Sequence, residues 1–131
     1  MAEQFCPACY RLIPVEARIC PACGADLDAL SARGYRDKLV AALSHPLDDI
    51  RMRTILALGL RGEADAADAL VDCALRHPVD VVEGLAVVGT LTRLGAAGRQ
   101  ALLKLAERDP AHAVRVAAQQ AAGKRQGEPD A

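Results

Sequence analysis

Four of the five cysteines in this 131-residue chain fall into two matched hooks, Cys6-Pro-Ala-Cys9 and Cys20-Pro-Ala-Cys23-Gly24. A Cys-x-x-Cys turn offers two thiolates to one ion, and its backbone N–H groups curl toward the sulfurs. Pro7 and Pro21 stiffen those turns through their fixed φ. Gly24 follows the second hook, where a positive φ is easiest for a residue without Cβ; Tyr10 stands at the matching place after the first and must tolerate the same turn. Four thiolates close a tetrahedral shell. The spacing therefore predicts one structural Zn2+ on Cys6, Cys9, Cys20 and Cys23, with no open position for substrate. A four-thiolate iron site, disulfides or a redox dithiol are the competing uses. No βαβ pattern surrounds either hook to favour the redox pair. The segment is too short for a core of its own, so metal binding, worth about 10–16 kcal/mol in zinc-finger peptides, has to supply most of its stability.

The rest of the chain is a repeat. His45-Pro46 recurs as His77-Pro78 and Asp109-Pro110, each 32 residues after the last. Ile50, Val82 and Val114 keep that register, as do Ala57, Gly89 and Ala121, and Ala42, Ala74 and Ala106. A fixed period in this range with small and apolar positions in phase predicts an all-α fold, a short solenoid of stacked helices. Proline costs no hydrogen bond in a first helical turn, so each X-Pro marks a helix boundary. About six helices are expected. The first carries Tyr35, Leu39 and Leu43 on one face. The others cover about 47–60, 64–76, 79–94, 96–108 and 111–123, burying among others Leu47, Leu58, Leu70, Val82, Leu85, Leu102, Leu103 and Val114. Ala86 and Gly89 keep the close approaches of the fourth helix small. Three units follow: a zinc knuckle over 1–28, a helical repeat domain over 29–125, and a tail over 126–131 that has nothing to bury and is expected to be disordered.

Composition narrows the function classes. Phe5, Tyr10 and Tyr35 are the whole aromatic content, which suits alanine- and leucine-rich helices better than a β-sandwich. The formal net charge of −1 gives no global pull toward nucleic acid or an anionic membrane. A four-thiolate divalent site makes the protein about two units more acidic still. No basic-then-apolar leader and no apolar run of about 18 residues is visible, so a cytoplasmic protein with reduced thiols and no membrane span is expected.

Catalytic constellations are absent from the sequence: no phosphate loop, no paired-carboxylate motif and no serine elbow. The chain is read as not an enzyme. His45 and His77 occupy equivalent turns about 10 Å apart, too far to share a metal, and read as boundary residues. His112 reads as a surface histidine, and Cys73 as a small core residue with no evident neighbouring base. Arg51, Glu83 and Arg115 share one register, which allows an alternating-sign ladder between helices or three solvated charges.

Two resemblances sharpen these expectations. Cys-Pro-x-Cys, Pro14, Ala17-Arg18 and Cys-x-x-Cys-Gly-x-x-Leu27 together resemble the short N-terminal zinc ribbon of many bacterial proteins, over about residues 4–28. That resemblance implies a structural zinc. Ile50-Arg51, Thr54-Ile55 and Ala57-Leu58-Gly59, matched by Val114-Arg115, Ala117-Ala118 and Ala121-Ala122-Gly123, are similar to short bacterial HEAT repeats of the phycobilisome-lyase-like group, over about 35–125. The middle copy departs, with Glu83-Gly84 and Thr90-Leu91, and no lyase activity is carried over. In HEAT-like proteins the second helix of each repeat lines the concave face. The resemblance thus implies a mixed-charge groove of Asp68, Asp72, Arg76, Gln100, Lys104 and Arg108; the sequence alone gives one polar face on each helix. Acidic and basic repeats side by side suit a protein or peptide partner better than a phosphate backbone. The leading expectation is a non-enzymatic adaptor for protein partners. The rivals are a nucleic-acid accessory protein, using the ribbon with Arg33, Arg36, Lys38, Arg51 and Arg53, and a lyase-like chaperone for a cofactor-bearing protein. So short a solenoid needs its ends covered, and the knuckle is expected to cap the first helix near Tyr35, Leu39 and Leu43. Oligomeric state is left open.

Overall fold

The structure is a computed structural model that describes residues 2–124; the tail at 126–131 lies outside the described residues. Two antiparallel strands, β1 (Glu3–Phe5) and β2 (Leu12–Pro14), pair with Gln4 opposite Ile13. Seven α-helices follow among the described residues: α1 (Leu27–Ser31), α2 (Tyr35–Ala42), α3 (Asp48–Arg61), α4 (Ala67–Arg76), α5 (Val81–Thr92), α6 (Gly95–Arg108) and α7 (His112–Gly123). A 3-10 turn, Ala64–Ala66, leads into α4. The protein is mostly helical; the expectation of an all-α chain is corrected by the strand pair, and a short helix, α1, precedes the six longer ones. The first hook reverses the chain and brings its flanks side by side as a hairpin, whose three-residue strands are too short to show a period of two. Helix α1 is too short to show a period of 3.6; it is started by Asp26, whose carboxylate accepts the Ala29 N–H at 3.2 Å.

Helix α3 packs on α5 and α5 on α7, while α4 packs on α6 behind them. Leu43, Ile55, Leu58, Leu70, Leu91, Leu102 and Leu105 are buried between these layers. The knuckle has a separate small core of Cys6, Ile13, Cys20 and Leu27.

The first and third X-Pro corners share a hydrogen-bond pattern. At the first, His45 Nδ1 accepts the Leu47 N–H at 3.0 Å, and Arg51 Nη1 donates to the carbonyls of His45 and Pro46 at 2.9 and 3.1 Å. At the third, Asp109 Oδ1 accepts the Ala111 N–H at 2.9 Å, and Arg115 Nη1 donates to the carbonyls of Asp109 and Pro110 at 2.8 and 2.9 Å. Each corner ties up carbonyls beside proline, while a side-chain acceptor takes a donor at the start of the next helix. The middle corner differs, because Glu83 stands where the arginine would be.

Helix α5 lies with its core side formed by Glu83, Gly84, Val87, Val88, Thr90 and Leu91. This corrects the expected face: Val82 and Leu85 are exposed, as are Leu47 and Leu103 elsewhere. The close approach is also elsewhere. A Cβ at Gly89 would meet nothing within 4 Å, whereas one at Gly84 would lie 2.7 Å from Val114 Cγ2 on α7. Thr90, unusual for its register, donates to the Ile55 carbonyl of α3 at 2.9 Å.

Candidate metal centre

The two hooks bring all four sulfurs together. Cys6 and Cys23 lie 3.8 Å apart, as do Cys9 and Cys20, and the ligand atoms all fall within 4.8 Å of one another. A tetrahedron built on a metal–sulfur bond of about 2.3 Å has an edge of about 3.8 Å, so the separations fit a four-thiolate ion. Backbone donors face the cluster: the Ala8 N–H points at Cys6 Sγ, and the Ala22 and Cys23 N–H groups point at Cys20 Sγ, each at 3.4 Å. Burial raises the Cys20 thiol, but the Cys23 and Ala22 N–H groups together with the Cys23 and Cys6 sulfurs outweigh it and bring it down to about 6. Cys23 moves the other way, to about 11: the Ala25 N–H lowers it, and burial together with the three neighbouring sulfurs more than reverses that. Four thiolates so close need a cation to be ionised together. Cys6, Cys9, Cys20 and Cys23 could therefore hold a metal ion.

The turn geometry shows what each hook demands. Gly24 has φ +78°, and Tyr10, at the matching position, has φ +62°. A tyrosine in the left-handed region is uncommon, and its side chain is held from outside the knuckle. Its hydroxyl donates to the Ala41 carbonyl at the end of α2. The rings of Tyr10 and Phe5 both meet His45, with centroids 5.0 Å away. The knuckle thus touches the helices at the last turn of α2 and the first X-Pro corner. This corrects the expected contact in one respect. Tyr35 is exposed and lies under the Arg61 guanidinium, while Leu39 and Leu43 belong to the helical core.

A second group of potential ligands, Cys73, His77 and Glu83, converges where α4 meets α5. The sequence reading gave Cys73 no partner; Cys73 Sγ donates to Glu83 Oε1 at 3.0 Å. His77 Nδ1 lies 3.0 Å from the same oxygen and 2.9 Å from the Cys73 carbonyl. Both neighbours accept, so Nδ1 carries the proton. Arg51 completes the set, donating from Nε and Nη2 to Glu83 at 3.0–3.2 Å. These separations are those of hydrogen bonds; ligands sharing a tetrahedral zinc would stand about 3.5 Å apart. Burial and the Glu83 carboxylate push the Cys73 thiol up to about 12, which keeps it a donor. The group is a buried carboxylate with its cation supplied by Arg51 rather than a second metal centre. Cys73 and His77 at i, i+4 were its signal in the sequence.

Of the expected ladder, Arg51 and Glu83 form a buried pair, with side chains 9% and 1% exposed. Arg115 does not join it and serves its own corner. Of the six groove residues, Asp68 and Lys104 meet across α4 and α6 at 3.0 Å. Asp72, Gln100 and Arg108 are exposed on the same two helices, and Arg76 turns to Ser44 Oγ at 3.3 Å. Of the five basic residues considered for nucleic acid, Arg51 is buried and Arg36 pairs with Asp65 at 3.1 Å. No helix among the described residues is long and apolar enough to cross a membrane. Neither the family models, the curated proteins nor the solved structures give a match to this chain.

Proposed function

We propose that this chain is a non-enzymatic adaptor: a short solenoid of HEAT-like repeats, capped by a zinc ribbon, that presents a rigid surface to a protein partner. The observation that supports it best is the recurrence of one corner at His45–Arg51 and Asp109–Arg115, two 32-residue steps apart. Such recurrence is what stacked copies of one unit produce. In this reading Cys6, Cys9, Cys20 and Cys23 hold a single structural Zn2+, which neutralises the thiolates and ties the hooks together, leaving no position for substrate. The α4–α6 face, with Asp68 and Asp72 beside Gln100, Lys104 and Arg108, is the partner surface. A rigid scaffold lowers the ordering cost of binding, and alternating charge selects the register of a partner.

Affinity capture with the full chain and with an Asp72→Lys, Lys104→Glu variant tests this face. Both positions are exposed, so the variant should keep its thermal melt. A partner retained by wild type and lost by the variant is expected. An identical set of captured proteins would overturn the assignment.

A further inference from the structure

The knuckle and the helical body have separate cores and touch where Tyr10 reaches Ala41 and where the Phe5 and Tyr10 rings meet His45. Two units joined over so few contacts do not fill the seam between them, and a cleft of about 310 Å³ opens there. It is lined by Phe5 of β1, Leu30 of α1, and Lys38 and Ala41, which share a face of α2, with Arg33 in the connection between the two helices. The charged lining residues are Arg33 and Lys38, both cationic, with no carboxylate among the lining residues. Both charges are available. Lys38 is exposed, and its ammonium makes no hydrogen bond or ion pair among the described residues. Arg33 spends Nε on the Leu30 carbonyl at 3.3 Å and leaves both Nη groups without a partner among the described residues. Burial raises the Tyr10 hydroxyl above its ordinary pKa, and Arg33 and then Arg76 act against that rise, so a positive field reaches the side chain that joins the knuckle to α2.

We propose that this cleft takes a short acidic segment of a partner protein, its carboxylates on Arg33 and Lys38 and one leucine-like side chain against Phe5, Leu30 and Ala41. A guanidinium and an ammonium with no counter-charge of their own in the cleft favour carboxylates and oppose a basic segment. The apolar wall beside them asks for an apolar neighbour to those carboxylates, and Phe5, 40% exposed, has surface left to cover. A phosphate backbone needs a longer row of cations. That row is cut short here: Arg36, between the two in the chain, is held by Asp65 and Asp37, and Arg51 is buried. The surface goes beyond the α4–α6 reading and is walled by different residues, so either can fail without the other. Because Phe5 belongs to the knuckle and Lys38 to α2, the cleft exists only while the two are docked.

The test uses the full chain and a fluorescent peptide of about eight residues, roughly 26 Å when extended, with one leucine among aspartates. Matched peptides carry lysine in place of aspartate, or glycine in place of leucine. In fluorescence anisotropy the acidic leucine peptide should bind at least about tenfold more tightly than either, and its advantage over the basic one should shrink as salt rises. Lys38→Glu should weaken that peptide about tenfold or more. Arg53→Glu makes the same change in charge at an exposed residue of α3 outside the cleft, and should leave the affinity within about twofold. Both positions are exposed, so both variants should keep the wild-type melt. Equal affinity for the acidic and basic peptides, a glycine peptide bound as tightly as the leucine one, or equal losses in the two variants would overturn the proposal. So would no binding of the acidic peptide at about 1 mM. A single-stranded oligonucleotide bound more tightly than the acidic peptide, and released by Lys38→Glu, would give the cleft to nucleic acid and overturn the proposal as well.

Discussion

Glu83 is the residue whose environment departs furthest from what its type suggests. A carboxylate 1% exposed is tolerable because Arg51 forks onto it and Cys73 and His77 supply further donors. Glu83→Ala leaves the Arg51 guanidinium buried with only two carbonyls to serve, and should lower unfolding free energy by about 3–5 kcal/mol in urea titration. Exchanging both partners, Arg51→Met with Glu83→Leu, should recover most of that loss. A single-variant loss under about 1 kcal/mol would mean the pair is solvated after all. The register of this pair was legible in the sequence because the 32-residue period placed the two residues opposite each other. Its burial was not, since spacing does not say on which side of two helices charges meet.

His45 carries a pH dependence. Its Nδ1 accepts the Leu47 N–H, a role open only to the unprotonated nitrogen. Burial first, and then the Arg51 cation, lower its pKa from the ordinary value of 6.5. A histidine whose folded pKa is depressed contributes stability that is present above about 6.5 and lost as pH falls below it. Melting temperature should therefore fall between about pH 7 and pH 5 more steeply in wild type than in His45→Asp, which keeps an acceptor as Asp109 does in the third corner. Parallel curves would remove His45 from this account.

At the scale of helices, the X-Pro dipeptides placed the boundaries, because proline rules out a helix interior whatever the tertiary context. They did not orient the helices. Helix α5, Val81–Thr92, is apolar on all sides, so its periodicity has no preferred face. The close contacts fall at Gly84, against the Val114 side chain of α7, and at Gly98, against the Leu91 backbone of α5. A Cβ on Gly98 would sit 1.9 Å from the Leu91 carbonyl oxygen. The glycines thus predict opposite signs for one substitution. Gly89→Ala should stabilise by up to about 1 kcal/mol, the helix-propensity gain, while Gly98→Ala should destabilise despite the same gain. Thermal melts of the two variants decide it; equal shifts would mean that the Leu91 carbonyl does not constrain Gly98.

At the scale of the molecule, the four-cysteine site was the most legible feature, because ligand chemistry fixes both residue type and spacing. What joins that site to the helices was not legible. Tyr10 looked like a missing glycine; it holds a left-handed turn and reaches Ala41, while Phe5 beside it packs on His45. The knuckle and the helical body have separate cores, so these contacts are where a metal-dependent fold would stabilise the helices. Tyr10→Phe, which removes the hydroxyl and keeps the ring, should lower the helical melt by about 1 kcal/mol and leave metal content unchanged. Mass spectrometry of the purified chain should find one zinc per protein.

The most direct test of the coupled knuckle is the helical melt, followed by circular dichroism, before and after the metal is removed with a chelator and confirmed absent by elemental analysis. Metal removal should lower the midpoint by more than about 4 °C, the shift expected for roughly 1 kcal/mol in a domain of this size. The transition should stay single, and added Zn2+ should restore it. A helical melt unchanged by removal of a metal shown to have been bound would contradict the account and make the knuckle an independent appendage.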